Sequence, residues 1–361
     1  SAALFGHSND VIKAAIHEAL DGGVAMGAPT PYERELAGLL CERFPSLEQV
    51  RFCNSGTEAN LMALSTARVV TGRNKLLAFN DGYHGGVIKF LGGICPLNMP
   101  FDFVLADFND IDGTAALIDQ VGDELAAVLI EPILGAGGNI QGNRKFLQML
   151  RRKTAEVGAL LIFDEVKTAR LGPSGTQGML GIKPDLTTLG KFIGGGLPTG
   201  AFGGSAEVMA HFNPKQKGAL SHAGTFNNNV CSMAAGCAAL SKVYPAQRAA
   251  EFLDWSEAFR LSLNDMFAAK GVPMYANGLG SMIAIHFSSK PTKRPTDITA
   301  GCQSLRPLLH MELLLDGILV CRRGDLFLSL PMDDGQLSTA RLALEKFADR
   351  YKPLIEEVLA A

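Results

Sequence analysis

The chain has 361 residues, 47% of them hydrophobic, which is enough to bury a large core and to form two domains, one of them large. Its 33 basic and 36 acidic residues give a net charge of -3 and are spread along the sequence, so no basic block points to nucleic acid or to an anionic membrane. No apolar run approaches a membrane span and the first residues do not read as a signal peptide; the seven scattered cysteines form no CxxC pair, which predicts reduced thiols in a cytoplasmic protein without structural zinc.

Forty glycines, with no low-complexity tract or repeat to account for them, predict many tight turns around a ligand. Residues 9–20 show helical spacing, stopped by Gly22 and Gly23. PYERELAGLLCERF repeats the pattern, with Pro31 placed for a helix start and Leu36, Leu39 and Leu40 on one face. At QVRFCN the period changes to that of a strand, and SGTEANLMALSTARVV opens as a helix directly from it.

Ser55 and Thr57 flank Gly56 at that helix start, where free N–H groups and the helix dipole favour an anion. The same residues also read as an ordinary N-cap, with Glu58 complementing the dipole. The P-loop pattern GxxxxGK[ST] is absent, and the site could still hold a single phosphate. KLLAF is the next strand and ends in NDGYHGG, where Tyr83 and His84 are held between glycines. An aromatic ring in such a loop can stack on a planar heterocycle or simply pack the loop.

The chain then alternates: a strand at FVLA, a helix from about 110 to 121, a strand at AAVLIEP, a helix from about 143 to 157 and a strand at ALLIFDEV. This predicts an α/β fold with a mostly parallel sheet covered by helices on both faces. Ligands of such sheets gather at the carboxyl ends of the strands, where the sequence places Glu131, Asp164 and Glu165. Burying two adjacent carboxylates unpaired would be costly, so one of them should meet a cation. The neighbourhood lacks the histidines or further carboxylates of a closed metal site.

DLTTLGKFIGGG places Lys191 between a short apolar run and Gly194, Gly195 and Gly196. A lysine at a strand end reads either as a solvated cap or, if buried, as a neutral amine able to attack an aldehyde. One ligand would use all of these groups. A phosphate near Ser55, an aromatic ring under Tyr83, a protonated ring nitrogen at Asp164 and an aldehyde on Lys191 together describe pyridoxal phosphate. Arg322 and Arg323 precede a strand expected at LFLSLP, where solvated strand-end charges are one reading and carboxylate recognition by a planar guanidinium the other.

NSGTEAN, GYHGG, EPILGAGG, FDEV, PDLTTLGKFIGGGLPTGAFGG and HAGTFNNN resemble the motifs of the class III, fold type I aminotransferases, in the branch of glutamate-1-semialdehyde aminomutase. The likeness runs from about Phe5 to Pro331. Within that branch LFGHS, CERFPSLEQVRFCNSGTEANLMAL and GTFNNNVCSMAAG are most similar to the β-amino-acid aminotransferases of the β-phenylalanine type. The resemblance implies a large domain over residues 30–243 that binds pyridoxal 5'-phosphate and a smaller α+β domain over 244–361. Residues 1–29 would belong to an N-terminal segment of the small domain, which in the family begins several dozen residues ahead of LFGHS.

The resemblance also implies roles. Lys191 matches the lysine that bonds the cofactor's aldehyde and later moves the substrate proton, and Asp164 matches the partner of the pyridine nitrogen. Val166 matches the residue under the ring, Tyr83 the stacking aromatic, and Ser55, Gly56 and Thr57 the phosphate cup; His84 and Glu131 lie in motifs that surround the cofactor. Thr225 matches a phosphate ligand supplied by the neighbouring subunit, which implies a homodimer, and Arg323 matches an arginine that meets the substrate carboxylate. Two local departures stand out: Lys167 follows DEV where relatives carry Gln or Met, and APTPYERE replaces the usual substrate-facing loop.

The implied reaction is ping-pong transamination between a small-molecule amino donor and a keto-acid acceptor. An aminomutase would use the same residues to move the amino group within one molecule. A racemase or epimerase would return the proton to the same carbon, with Lys167 as a second base. A non-enzymatic relative of the fold would need the cofactor positions to be lost, and all are present.

Overall fold

The computed structural model describes residues 2–360; Ser1, which opens the expected N-terminal segment, and Ala361, which closes the expected C-terminal domain, lie outside the described residues. In chain order the elements are α1 (Asp10–Asp21), α2 (Pro31–Arg43), β1 (Gln49–Cys53), α3 (Gly56–Thr71), β2 (Lys75–Phe79), β3 (Asp102–Ala106), α4 (Ile111–Val121) and β4 (Leu125–Ile130). They continue as β5 (Ile133–Leu134), β6 (Ile140–Gln141), α5 (Arg144–Val157), β7 (Leu160–Asp164), α6 (Gly175–Leu180), β8 (Leu186–Gly190), β9 (Gly200–Gly204), α7 (Ala206–Met209) and α8 (Val230–Ala238). The chain ends with α9 (Ala246–Lys270), β10 (Tyr275–Leu279), β11 (Met282–His286), α10 (Ala300–Leu315), β12 (Asp325–Phe327) and α11 (Asp334–Ala360).

Two compact units result. The larger takes in the chain up to Pro132 together with Gly142–Ala250; the smaller takes in Ile133–Gln141 and the chain from Glu251 onward. The larger unit is built on a seven-stranded sheet in the order β1-β9-β8-β7-β4-β2-β3. Only β9 runs against its neighbours β1 and β8; the other pairings are parallel. The mostly parallel α/β sheet expected from the alternating pattern is therefore present.

The composition explains the layering. All six residues of β4 are buried, as a strand covered on both faces requires. Helix α3 turns Ala59, Ala63 and Ala67 inward, small side chains at helical spacing that let it lie close to the sheet. Helix α5 packs Phe146 against Phe79 and Phe108, with ring centroids 5.5 and 5.7 Å away. Burying a side chain of this kind stabilises the fold by about 1.5–3 kcal/mol.

In the smaller unit β10, β11 and β12 form an antiparallel sheet, β5 pairs with β6, and α10 packs on α11. The strand expected at LFLSLP is shorter and begins earlier, at Asp325, because only Asp325, Leu326 and Phe327 find partners on β11. The glycine-rich β9 and the excursion at Ile133–Gln141 carry no periodic apolar signal and were not expected from sequence.

Candidate active site

Six parallel strands end on one edge of the large sheet, and the sequence puts a candidate residue at or just past the ends of five of them. Ser55 follows β1, the Tyr83–His84 loop follows β2, Glu131 follows β4, Asp164 closes β7 and Lys191 follows β8. Because β4 and β7 are neighbours in register, with Ile130 beside Phe163, the next residues Glu131 and Asp164 emerge side by side.

At the start of α3 the hydroxyl oxygen of Ser55 accepts the N–H of Glu58 at 3.1 Å, and the Glu58 carboxylate accepts the N–H of Asn54 at 2.8 Å. The N-cap reading is thus correct, and it leaves the anion reading open. The hydroxyl still has its hydrogen to donate, and the N–H groups of Gly56 and Thr57 find no acceptor among the described residues. Val166 closes over this helix start: a Cβ on Gly56 would lie 2.7 Å from its side chain. Gly85, at φ +133°, brings the Tyr83–His84 loop so close that a Cβ would lie 2.3 Å from the Thr57 hydroxyl.

Asp164 is held on both carboxylate oxygens. Its Oδ1 accepts the N–H of Val166 at 3.0 Å, and its Oδ2 accepts Nδ2 of Asn60 and Nδ1 of His84, each at 2.8 Å. Since a carboxylate only accepts, the His84 hydrogen sits on Nδ1. Burial works against the charge of Asp164, but the His84 contact, the Val166 N–H and the charge of Lys191 outweigh it and hold the carboxyl below its ordinary range. Asn60 is itself fully used, donating also to the His84 carbonyl at 2.9 Å and accepting from the Thr188 hydroxyl at 2.7 Å.

Glu131 has the opposite environment. Burial, reinforced by the charge of Asp164, pushes its carboxyl up, while His84, Lys167 and the Tyr83 N–H at 3.0 Å favour its anion. The pKa values of two carboxyls at adjacent strand ends are thereby shifted in opposite directions, Glu131 up and Asp164 down. The neighbouring Glu165 meets no cation among the described residues: it accepts from the Thr168 hydroxyl and the N–H groups of Thr176 and Gln177 at 2.7, 3.0 and 2.8 Å. Its role is to knit the turn after β7, and burial raises its pKa despite these donors.

Lys191 stands half-buried at φ +54°, a left-handed conformation that glycine adopts freely and lysine does not. Such a backbone costs about 1–3 kcal/mol and concentrates at functional sites. Burial draws the amine below its usual range, against the pull of Asp164 and Glu131. Both the lowered pKa and the electrostatic pull of Asp164 bear on an amine that could serve as a nucleophile.

The remaining candidates are placed as follows. The side chain of Tyr83 is 42% exposed, so its ring is available as a stacking surface. Thr225 lies in an exposed segment tied back to the start of α3 by Asn54, whose Nδ2 donates to Oδ1 of Asn227 at 3.0 Å. Arg323 belongs to the smaller unit, at the corner of a turn before β12, with Nη2 3.0 Å from Oδ2 of Asp325. Sequence reasoning missed Asn60 and Thr188; the signal available was a polar residue on the buried side of α3, inside the NSGTEAN motif.

Comparison with known proteins gives this geometry a family. The model of the family "Aminotransferase class-III" matches residues 1–330. The chain is a class III aminotransferase. It is 46% identical over 355 residues to the beta-phenylalanine transaminase of Variovorax paradoxus, covering 98% of this chain and 82% of the relative. The crystal structure of that enzyme superposes with a TM-score of 0.95 over the same shares of the two chains. An omega-transaminase from Sphaerobacter thermophilus is 37% identical with a TM-score of 0.89, covering 96% of this chain and 84% of its own. A glutamate-1-semialdehyde 2,1-aminomutase of Macrococcus caseolyticus is 40% identical over 330 residues, covering 87% of this aminotransferase and 77% of the mutase.

Class III aminotransferases use pyridoxal 5'-phosphate, and a similar solved transaminase has it bound. The donor set of this aminotransferase fits that group. The Gly56 and Thr57 N–H groups without an acceptor among the described residues and the Ser55 hydroxyl suit a phosphate, the buried Asp164 held below its ordinary range suits a pyridinium, and the Lys191 amine drawn below its usual range suits an aldehyde. Among the described residues no helix is long and apolar enough to cross a membrane.

Proposed function

We propose that this aminotransferase moves the amino group of a β-amino acid to a keto acid in two half-reactions at Lys191. The chemistry that bound pyridoxal phosphate supplies is an aldehyde for the amino group and a ring that accepts electrons as the substrate C–H bond breaks. Ser55, Gly56 and Thr57 bind its phosphate. Val166 and Tyr83 would hold its ring. Asp164, fixed by Asn60 and His84, keeps the proton on the ring nitrogen, while Glu131 holds the Tyr83 loop through its N–H. The Lys191 amine would hold the aldehyde and, when free, would move the proton from the substrate carbon and back.

Two further assignments complete the reading. Thr225 reaches the phosphate of a second subunit, so the enzyme works as a homodimer in the cytoplasm; the 60% exposed Phe226 beside it supports an interface there. Arg323 grips the substrate carboxylate through the parallel hydrogen bonds a guanidinium offers.

The observation that carries the chemistry is a half-buried lysine held in a left-handed conformation near a charged, buried aspartate. The β-amino-acid donor rests on the 46% identical relative. The test is to mix holoenzyme with β-phenylalanine, with and without pyruvate or 2-oxoglutarate. Transamination gives one spectral change of the cofactor without acceptor and repeated turnover only with it. Sustained turnover without acceptor would instead make the enzyme a mutase or racemase, and full activity of Lys191→Ala would remove the assignment of the lysine.

A further inference from the structure

Within the smaller unit, Arg323 is fastened more firmly than a surface arginine needs to be. The N–H of Gly324 donates to the Cys321 carbonyl at 2.8 Å, which makes Arg322 and Arg323 the two corner residues of a β-turn. The N–H of Cys321 donates to the Asp325 carbonyl at 3.0 Å, closing the turn from the other side. Asp325 is fixed in its turn by pairing with Ala284 of β11.

The side chains add a second level of restraint. The Asp325 side chain is 1% exposed, whereas that of Arg323 is 57% exposed, and they meet at 3.0 Å. The other carboxylate oxygen of Asp325 accepts Nδ2 of Asn139 at 3.3 Å. Asn139 stands at φ +51° in the Ile133–Gln141 excursion, just after Gly138, whose carbonyl accepts Nε2 of His286 at 2.8 Å. A surface ion pair loses most of its worth to solvent, but here the acceptor is dry and cannot leave without being stranded as a buried charge. Nε and Nη1 of Arg323 find no acceptor among the described residues, so the pair holds one edge of the guanidinium and leaves the rest available.

We infer that Asp325 and Asn139 are positioning residues for Arg323, a buried amide and carboxylate that aim the guanidinium before a substrate carboxylate arrives. This rests on the proposed role of Arg323. A free arginine carries large rotamer entropy and loses it on binding; one already anchored has less to lose, so the gain appears as a lower KM for substrates that bear the carboxylate. The carboxylate of Asp325 does not compete for the ligand, because its two oxygens are already occupied by the guanidinium and the amide.

The test compares a β-amino acid with the matching amine that lacks the carboxylate, in Arg323→Ala, Asp325→Asn and Asn139→Gly. Glycine at 139 keeps the left-handed backbone and removes only the amide, so it answers the question if Asp325→Asn does not fold. Both positioning variants should raise KM for the β-amino acid about three- to tenfold with kcat nearly kept, leave the amine unchanged, and add nothing to Arg323→Ala when combined with it. If Arg323→Ala itself does not discriminate between the two substrates, the reading of Arg323 fails and the inference with it. If Arg323→Ala discriminates but neither positioning variant does, the inference alone is overturned. Equal losses on both substrates, accompanied by a lower Tm, would overturn it too, since they mark a merely structural pair.

Discussion

Nδ1 of His84 lies 2.8 Å from Oδ2 of Asp164, and both side chains are almost closed to solvent. Together with Asn60 this contact supplies the donors that let a buried aspartate remain charged. His84→Ala should therefore raise the Asp164 pKa, because a donor and a favourable potential are removed while burial stays. A lowered carboxyl pKa in the folded state contributes stability and function that are lost as pH falls through it, so raising it moves the loss to higher pH. The acid limb of the kcat/KM profile should shift upward in this variant. An unmoved acid limb in a protein of normal cofactor content would contradict the account.

Gly85 and Gly86 offer a controlled pair in the same loop. A Cβ at Gly85 would collide with Thr57 from a left-handed backbone, whereas one at Gly86 would meet nothing within 4 Å. Gly85→Ala should destabilise by about 1–3 kcal/mol and, on the proposed phosphate role of Thr57, weaken cofactor binding, since the clash would displace its hydroxyl. Gly86→Ala should stay within about 0.5 kcal/mol of the parent. Thermal melts with and without added pyridoxal phosphate separate the two effects.

The shared-site reading gives Thr225 and Phe226 different jobs. Thr225→Ala should cost about 1.5–3 kcal/mol of cofactor affinity, the value of a hydrogen bond to a charged group, with the dimer intact. Phe226→Asp should weaken the dimer first and lose cofactor as a consequence, because a charge is placed where an exposed aromatic is proposed to be covered. Sedimentation at several protein concentrations, with bound cofactor measured in parallel, would show the order. A monomeric parent enzyme with full cofactor affinity would defeat both expectations.

His286 should make the stability of the smaller unit depend on pH. Burial, with Arg306 beside Nδ1 at 3.3 Å, pushes its pKa from 6.5 down to about 4, although the Gly138 carbonyl accepts from Nε2. The unfolded chain therefore binds the proton first: the contribution of His286 is complete above its unfolded pKa and is lost as pH falls towards the folded one. Over that interval the loss amounts to about 3 kcal/mol by linkage. His286→Gln, which can still donate to Gly138 but does not titrate, should flatten the fall in Tm between pH 6.5 and pH 4. Parallel Tm curves for the two proteins would refute this.

Much of the molecule was legible before any tertiary structure. Strand and helix periods placed β1, β2, β4, β7 and the helices between them to within a residue or two, because a sheet buried on both faces demands continuous apolar runs. The same logic put Ser55, Glu131, Asp164 and Lys191 at strand ends, since burying polar groups anywhere else would have had no compensation. The motif resemblance added the cofactor and the family.

What the order of residues could not state is which partner each of these groups has. Asn60 and Asp164 are 104 positions apart and Asn139 and Asp325 are 186 apart, so their meetings depend on strand order and on an excursion that periodicity does not mark. Charge state followed the same rule: Glu131 and Asp164 look alike in sequence, and only the donors assembled around each decide that one is pushed up and the other held down. Lys191 was recognisable as a candidate from its neighbours, but its left-handed backbone, and with it the strain that marks the site, exists only once β8 and the glycine bend after it are packed in place.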